Sequence, residues 1–266
     1  DSFKLAINEG CEKQNVQRSI EDGMKTFHIV DKVVCLSSDT YKLLEEVYSV
    51  EKDKLAYIPN GLKDSFYILS AADKIKIRAK LHITEDEIVF LYVGRVSKQK
   101  GILDMLGAFE KLHERFSNFR LIIVGSIPTG FHQYIPYSIR NKVLLFGAVE
   151  RELLYELYSI SNVGVIASHY EQCSYVGIEM QMFSLPIIAS DAFGVKCMFD
   201  DANALLYHFD SDDNRTIMNL LDTINVMLCK STIELCELKK RARIAYECKY
   251  NIIRMQEDYN QLLASI

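Results

Sequence analysis

The chain has 266 residues, 49% hydrophobic and 25% charged, which allows a substantial core and is ordinary for a globular protein. Its net charge of -5 supplies no general attraction for nucleic acid. Seven cysteines (11, 35, 173, 197, 229, 236 and 248) include no Cys-x-x-Cys pair, which excludes a zinc knuckle and reads as a reduced chain. With no apolar run long enough to cross a bilayer and no secretory leader, a cytoplasmic protein is expected.

In chain order, Gln14–Phe27 has the pattern of an amphipathic helix, interrupted by Gly23. Asp31–Ser38 reads as a buried strand ending in a cap, Thr40–Tyr48 as a helix, and Lys54–Pro59 as a second strand running into the turn Asn60-Gly61. Two strands are too few for a sheet. Either they join the sheet that follows, or they are the tail of a domain that begins upstream of this sequence.

From Ile88 the pattern becomes regular. Strands are expected at Ile88–Val93, Phe119–Val124, Val143–Phe146, Val163–Ala167, Pro186–Ser190 and Ala204–Tyr207, with helices at Ile102–Phe116, Glu150–Ile160 and Tyr175–Phe183. Short apolar strands alternating with helices predict an α/β fold, a Rossmann-like parallel sheet with helices on both faces. Residues 212–266 read as helical, with Ser231 the one turn signal. In such a sheet ligands sit at the carboxyl ends of the strands, where Gly94, Gly125, Gly147 and Glu171 fall.

Three stretches at that edge carry chemistry. Glu171-Gln-Cys-Ser-Tyr-Val-Gly-Ile-Glu179 puts one carboxylate on a loop and a second just over a turn into a helix capped by Ser174. The amides of Ser174, Tyr175 and Val176 lie between them at the positive end of the helix dipole, which makes an anion site flanked by hydroxyl acceptors. Gly94-Arg95, followed by Lys100-Gly101, suits a diphosphate, since Arg95 can fork onto two oxygens and Lys100 adds a point charge. Phe146-Gly147-Ala148-Val149 can present main-chain groups to a flat base, or be only a tight turn. No His/Cys cluster suggests a metal. His169 reads as a surface histidine outside the chemistry. The basic run Lys239-Lys-Arg-Ala-Arg243 is a solvated helix face or a contact for anionic lipid headgroups.

The order Asn60-Gly61, Gly94-Arg95, Lys100-Gly101, Gly147-Ala-Val149, Glu171-x7-Glu179 and Pro186-Ile-Ile-Ala-Ser-Asp191 resembles the retaining, nucleotide-sugar-dependent glycosyltransferases of the two-Rossmann-domain (GT-B) type. The resemblance runs from about Asp31 to the C-terminus. The chain departs from the family's usual pattern at Phe193-Gly194, Lys196-Cys197 and Ser126.

The resemblance implies a division into residues 1–60, the tail of an acceptor domain plus linker, and residues 61–266, the donor-binding half of the fold. It implies Glu171 at the transferred sugar and Glu179 on the ribose. Gly94, Arg95, Lys100, Ser174, Tyr175 and Val176 fall at the diphosphate, with Gly147 and Val149 at the base. The implied activity is transfer of a sugar, with retained configuration, from a nucleoside-diphosphate sugar to a glycan or lipid-linked acceptor. Bacterial polysaccharide or lipopolysaccharide synthesis is the setting, without a cofactor or metal and with a peripheral contact at the inner membrane face. The 266-residue chain alone would then bind donor and transfer little. A non-catalytic nucleotide-sugar-binding module or partner subunit is the alternative, and an epimerase of the same architecture is disfavoured by the paired glutamates.

Overall fold

The computed structural model describes residues 21–27, 29–200 and 202–266. Residues 21–27 are helical; the remainder of the helix expected over 14–27 lies outside the described residues.

A small first unit contains β1 (Val33–Cys35), α1 (Ser38–Glu46) and β2 (Leu55–Tyr57). The two strands pair with each other in parallel and do not join the larger sheet. Ser37 caps α1 by accepting the Thr40 amide at 3.1 Å. A separate apolar cluster of Cys35, Leu44, Val50 and Leu55 lies between this helix and its strands.

The main sheet has six parallel strands, β3 (Ile88–Val93), β4 (Phe119–Val124), β5 (Val143–Phe146), β6 (Val163–Ile166), β7 (Ile187–Ser190) and β8 (Leu205–Tyr207). Their spatial order is β5-β4-β3-β6-β7-β8. Strand order reverses between β3, which pairs with β4, and β6, on its other side. Such a switch point opens a crevice at the carboxyl ends of the strands.

Both faces of the sheet are apolar, as buried parallel strands require. Because side chains alternate, Phe90 and Tyr92 join one cluster while Val89 and Leu91 join the other. On the first face lie α3 (Ile102–His113) and α6 (Asp213–Leu228). On the second lie α4 (Arg151–Ile160), α5 (Tyr175–Met182) and a π turn, Tyr246–Tyr250.

One helix was not anticipated, and the C-terminal helical stretch is divided. A helix α2 (Ala71–Lys80) begins after Ser70, whose hydroxyl accepts the Asp73 amide at 3.1 Å. The helical C-terminal stretch divides into α6, α7 (Thr232–Ala245) and α8 (Ile252–Ala264). Ser231 and Glu234 form a capping box at the first break, and Asn251 caps the second. No helix among the described residues is long and apolar enough to cross a membrane.

Candidate functional site

The switch point brings the loop after β3 and the loop after β6 side by side. A cleft there is lined by Tyr92, Gly94, Lys100, Ser168, Glu171 and Ser174. Gly101 ends the first loop in the left-handed region (φ 65°), and a Cβ on it would stand 1.9 Å from the Ala167 carbonyl oxygen. That close approach seats the start of α3, and Lys100 before it, against the end of β6.

Lys100 and Glu171 form an ion pair, and the Ser168 hydroxyl donates to the same Glu171 oxygen at 2.9 Å. Both charged side chains are mostly buried, at 21% and 14% exposure. One carboxylate oxygen of Glu171 is thus occupied while the other makes no hydrogen bond among the described residues. The ammonium keeps donors in reserve, since it carries three. The backbone of Glu171 is held as well. Its amide donates to the Phe193 carbonyl at 3.1 Å, and its carbonyl abuts Gly194, where a Cβ would come within 1.7 Å.

Arg95 is exposed and makes no ion pair or hydrogen bond through its side chain among the described residues. At the start of α5, the Ser174 hydroxyl accepts the Gly177 amide at 3.3 Å, while the Ser174 amide meets Met198 Sδ at 3.1 Å. The amides of Tyr175 and Val176 have no partner among the described residues. Lys100 and the free N–H groups at the start of α5 put positive charge near the Glu171 carboxylate, and the free Arg95 guanidinium belongs to the same loop as Lys100.

Glu179 lies inside α5. Its carboxyl accepts from the Tyr158 hydroxyl at 2.8 Å, and burial pushes it above the usual carboxylate range while that hydrogen bond and Arg151 pull it down. Gly147 is exposed with open space around it, and its carbonyl accepts the Gly125 amide at 2.8 Å. Val149 packs into the core cluster around α4 and α5.

The structure corrects the reading of His169 as a surface residue. Its side chain is 8% exposed and its ring nitrogen lies 2.6 Å from Asp104. It adds Ser168 and Tyr158 as partners of the two glutamates, and Asn60, whose amide donates to the Cys173 carbonyl at 3.2 Å. Cys173 itself is a buried thiol pushed up to about 11, chiefly by desolvation, which rules it out as a ready thiolate.

A glycosyltransferase of Methanocaldococcus jannaschii with no further assignment is 31% identical over 62% of this chain and 43% of its own length. A D-inositol 3-phosphate glycosyltransferase of Xylanimonas cellulosilytica is 27% identical over 66% of this chain and 44% of its own. Among solved structures, Anabaena HepE in complex with UDP and glucose superposes with a TM-score of 0.73 at 18% identity, over 89% of this chain and 64% of that one. The chain thus spans less than half of these curated relatives' length. The family model for glycosyl transferases group 1 matches residues 73–234, from α2 through α7's first turn, and so takes in both loops of the switch point. A match over that much of the sequence establishes that the chain belongs to the group 1 glycosyl transferases.

Proposed function

We propose that this chain supplies the donor side of a retaining glycosyltransferase that moves a sugar from a nucleoside-diphosphate sugar to a glycan or lipid-linked acceptor. The observation that carries this reading is the cleft that brings Gly94, Lys100, Ser174 and Val176 together with Glu171, with Arg95 next to Gly94 in the chain and unpartnered amides at Tyr175 and Val176. As the glycosidic bond breaks, the departing diphosphate gains negative charge. Fixed cations and a helix start oppose that charge without reorganising. Glu171 favours positive charge developing on the sugar ring, and Glu179 accepts from the ribose hydroxyls. Gly147 and Val149 border the base. In this proposal the protein's own positive groups neutralise the diphosphate without a metal.

The test is titration of uridine and guanosine diphosphates in the presence of chelator, with wild type and Arg95→Ala. At least one nucleotide should bind, and Arg95→Ala should weaken it by about 1.5–3 kcal/mol, the range for hydrogen bonds to charged groups. Nucleoside binding should change much less. A strict divalent-ion requirement, or equal loss for nucleoside and diphosphate, would overturn the assignment. Binding without hydrolysis or transfer in any longer form of the protein would favour a non-catalytic nucleotide-sugar module instead.

A further inference from the structure

His169 lies between Ser168 and Glu171 but belongs to neither the cations nor the amides of the site. Its side chain and that of Asp104 are each 8% exposed, with Nε2 of the histidine 2.6 Å from Oδ2 of the aspartate. Asp104 sits in the first turn of α3, directly after the loop that carries Arg95 and Lys100. The ring also packs on Phe209 with centroids 4.5 Å apart, and the His169 amide donates to the Gln99 carbonyl at 2.9 Å. One residue therefore ties the Glu171 segment to the Lys100 loop twice, by its main chain and by its ring.

A buried polar pair is a poor source of stability. Desolvating both groups offsets most of their attraction, and apolar side chains of similar volume often serve as well. What such a pair provides is direction, because a short hydrogen bond fixes the ring and with it the backbone two residues before Glu171. We infer that Asp104 and His169 are positioning residues, a clamp that sets Glu171 against Lys100; as a statement about catalysis this rests on the donor-site reading above. The clamp brackets the ion pair on both sides. Gln99, whose carbonyl it holds, precedes Lys100, and Ser168 on its other flank donates to Glu171 while its own carbonyl accepts from Ser190 at 2.5 Å. A misplacement of about 1 Å at such a carboxylate can cost on the order of 100-fold in rate.

The test has two arms. In the ligand-free chain, His169→Phe keeps the ring volume and the contact with Phe209 but cannot bond to Asp104. Amide exchange at His169's position and at Glu171 should then rise at least about 10-fold while the thermal midpoint stays within a few degrees, since local opening and global stability separate. His169→Gln, which can still reach Asp104, should restore part of the protection. In the second arm, turnover of a uridine-diphosphate sugar should fall by about 10–100-fold with KM within about 3-fold. That loss should vanish in a Glu171→Gln background, as it must for a residue that acts through Glu171. Unchanged exchange in His169→Phe, a loss confined to KM, or a loss undiminished beside Glu171→Gln would overturn the clamp. If the wild-type chain binds no donor, the donor-site reading is what suffers; if it binds donor without turnover, as a donor half alone would, the exchange arm alone decides the clamp.

Discussion

At Glu179 burial and hydrogen bonding act in opposite directions on one carboxyl. Desolvation raises it, and the Tyr158 hydroxyl, donating at 2.8 Å, lowers it. Desolvation is the larger effect, so the folded chain holds this proton to a higher pH than the unfolded chain does. The stability from this group is therefore fully present below the unfolded pKa and declines as pH rises through the folded one. Tyr158→Phe removes the opposing donor, so the Glu179 midpoint should move further up and that window should widen. The lost bond from a fully buried ring should cost about 1–3 kcal/mol. Carbon-13 titration of the glutamate carboxyls, with Glu179→Gln to assign the resonance, measures the midpoint directly. A midpoint that does not move would show that Tyr158 only fills space. On the proposed role of Glu179 at the ribose, nucleotide affinity should weaken as the solution is acidified through the same midpoint, because an ionised carboxylate is the better acceptor.

Among the elements, the junction of the Lys100 loop with α3 has the least freedom. Gly101 combines a positive φ with a Cβ position 1.9 Å from the Ala167 carbonyl oxygen. Gly101→Ala should therefore destabilise the chain by at least about 2 kcal/mol, combining left-handed strain with displacement of backbone. Urea unfolding would measure it, and a smaller loss would mean that β6 can move away from α3. The alternating elements of this sheet were legible because its buried strands are mainly apolar runs, several followed by a small residue, as at Val93-Gly94 and Val124-Gly125. Helix α2 was not, because none of its residues is buried and it shows no apolar stripe; its one signal was the cap pair Ser70 and Asp73. The break at Asn251 lacked glycine or proline, and a π turn carries the chain to it. In the site, the residues of the linear motifs were legible, and Gly94, Lys100, Glu171, Ser174 and Val176 line one cleft. Asp104 with His169, and Tyr158 with Glu179, meet across 65 and 21 residues. No periodicity encodes such contacts, which arise only when α3 and α4 dock on the sheet.

Across the whole molecule, the C-terminal third returns to the segment joining the small unit to the main sheet. The Leu62 amide donates to the Tyr250 carbonyl at 2.8 Å, the Ile252 amide donates to the Leu62 carbonyl at 2.9 Å, and the Tyr246 hydroxyl reaches that same carbonyl at 3.0 Å. Arg243 fastens this junction from α7. Its guanidinium forks onto Asp64, donates to the Met182 carbonyl at 2.9 Å and to Glu247 at 2.7 Å, and lies near the rings of Phe66 and Tyr246. Lysine keeps the charge but loses the planar fork and the stacking, so Arg243→Lys is not conservative here. A loss of about 1–2 kcal/mol is expected in urea unfolding, held to that size by the partial exposure of the pair. Arg243 also holds the Asp64 carboxyl below its usual range, its hydrogen bond being the largest cause. For a depressed carboxyl the sign is the reverse of that at Glu179: the contribution is present above the unfolded pKa and is lost as pH falls through the folded value. Wild type should therefore lose stability on acidification below about pH 4, near the ordinary aspartate value, more steeply than Asp64→Asn. Combining Arg243→Lys with Asp64→Asn should cost less than the sum of the two single changes, because both remove one interaction. Additive losses with parallel acid limbs would show that the fork carries none of the coupling, leaving the Leu62 backbone ladder and ring packing to hold the C-terminal helices in place.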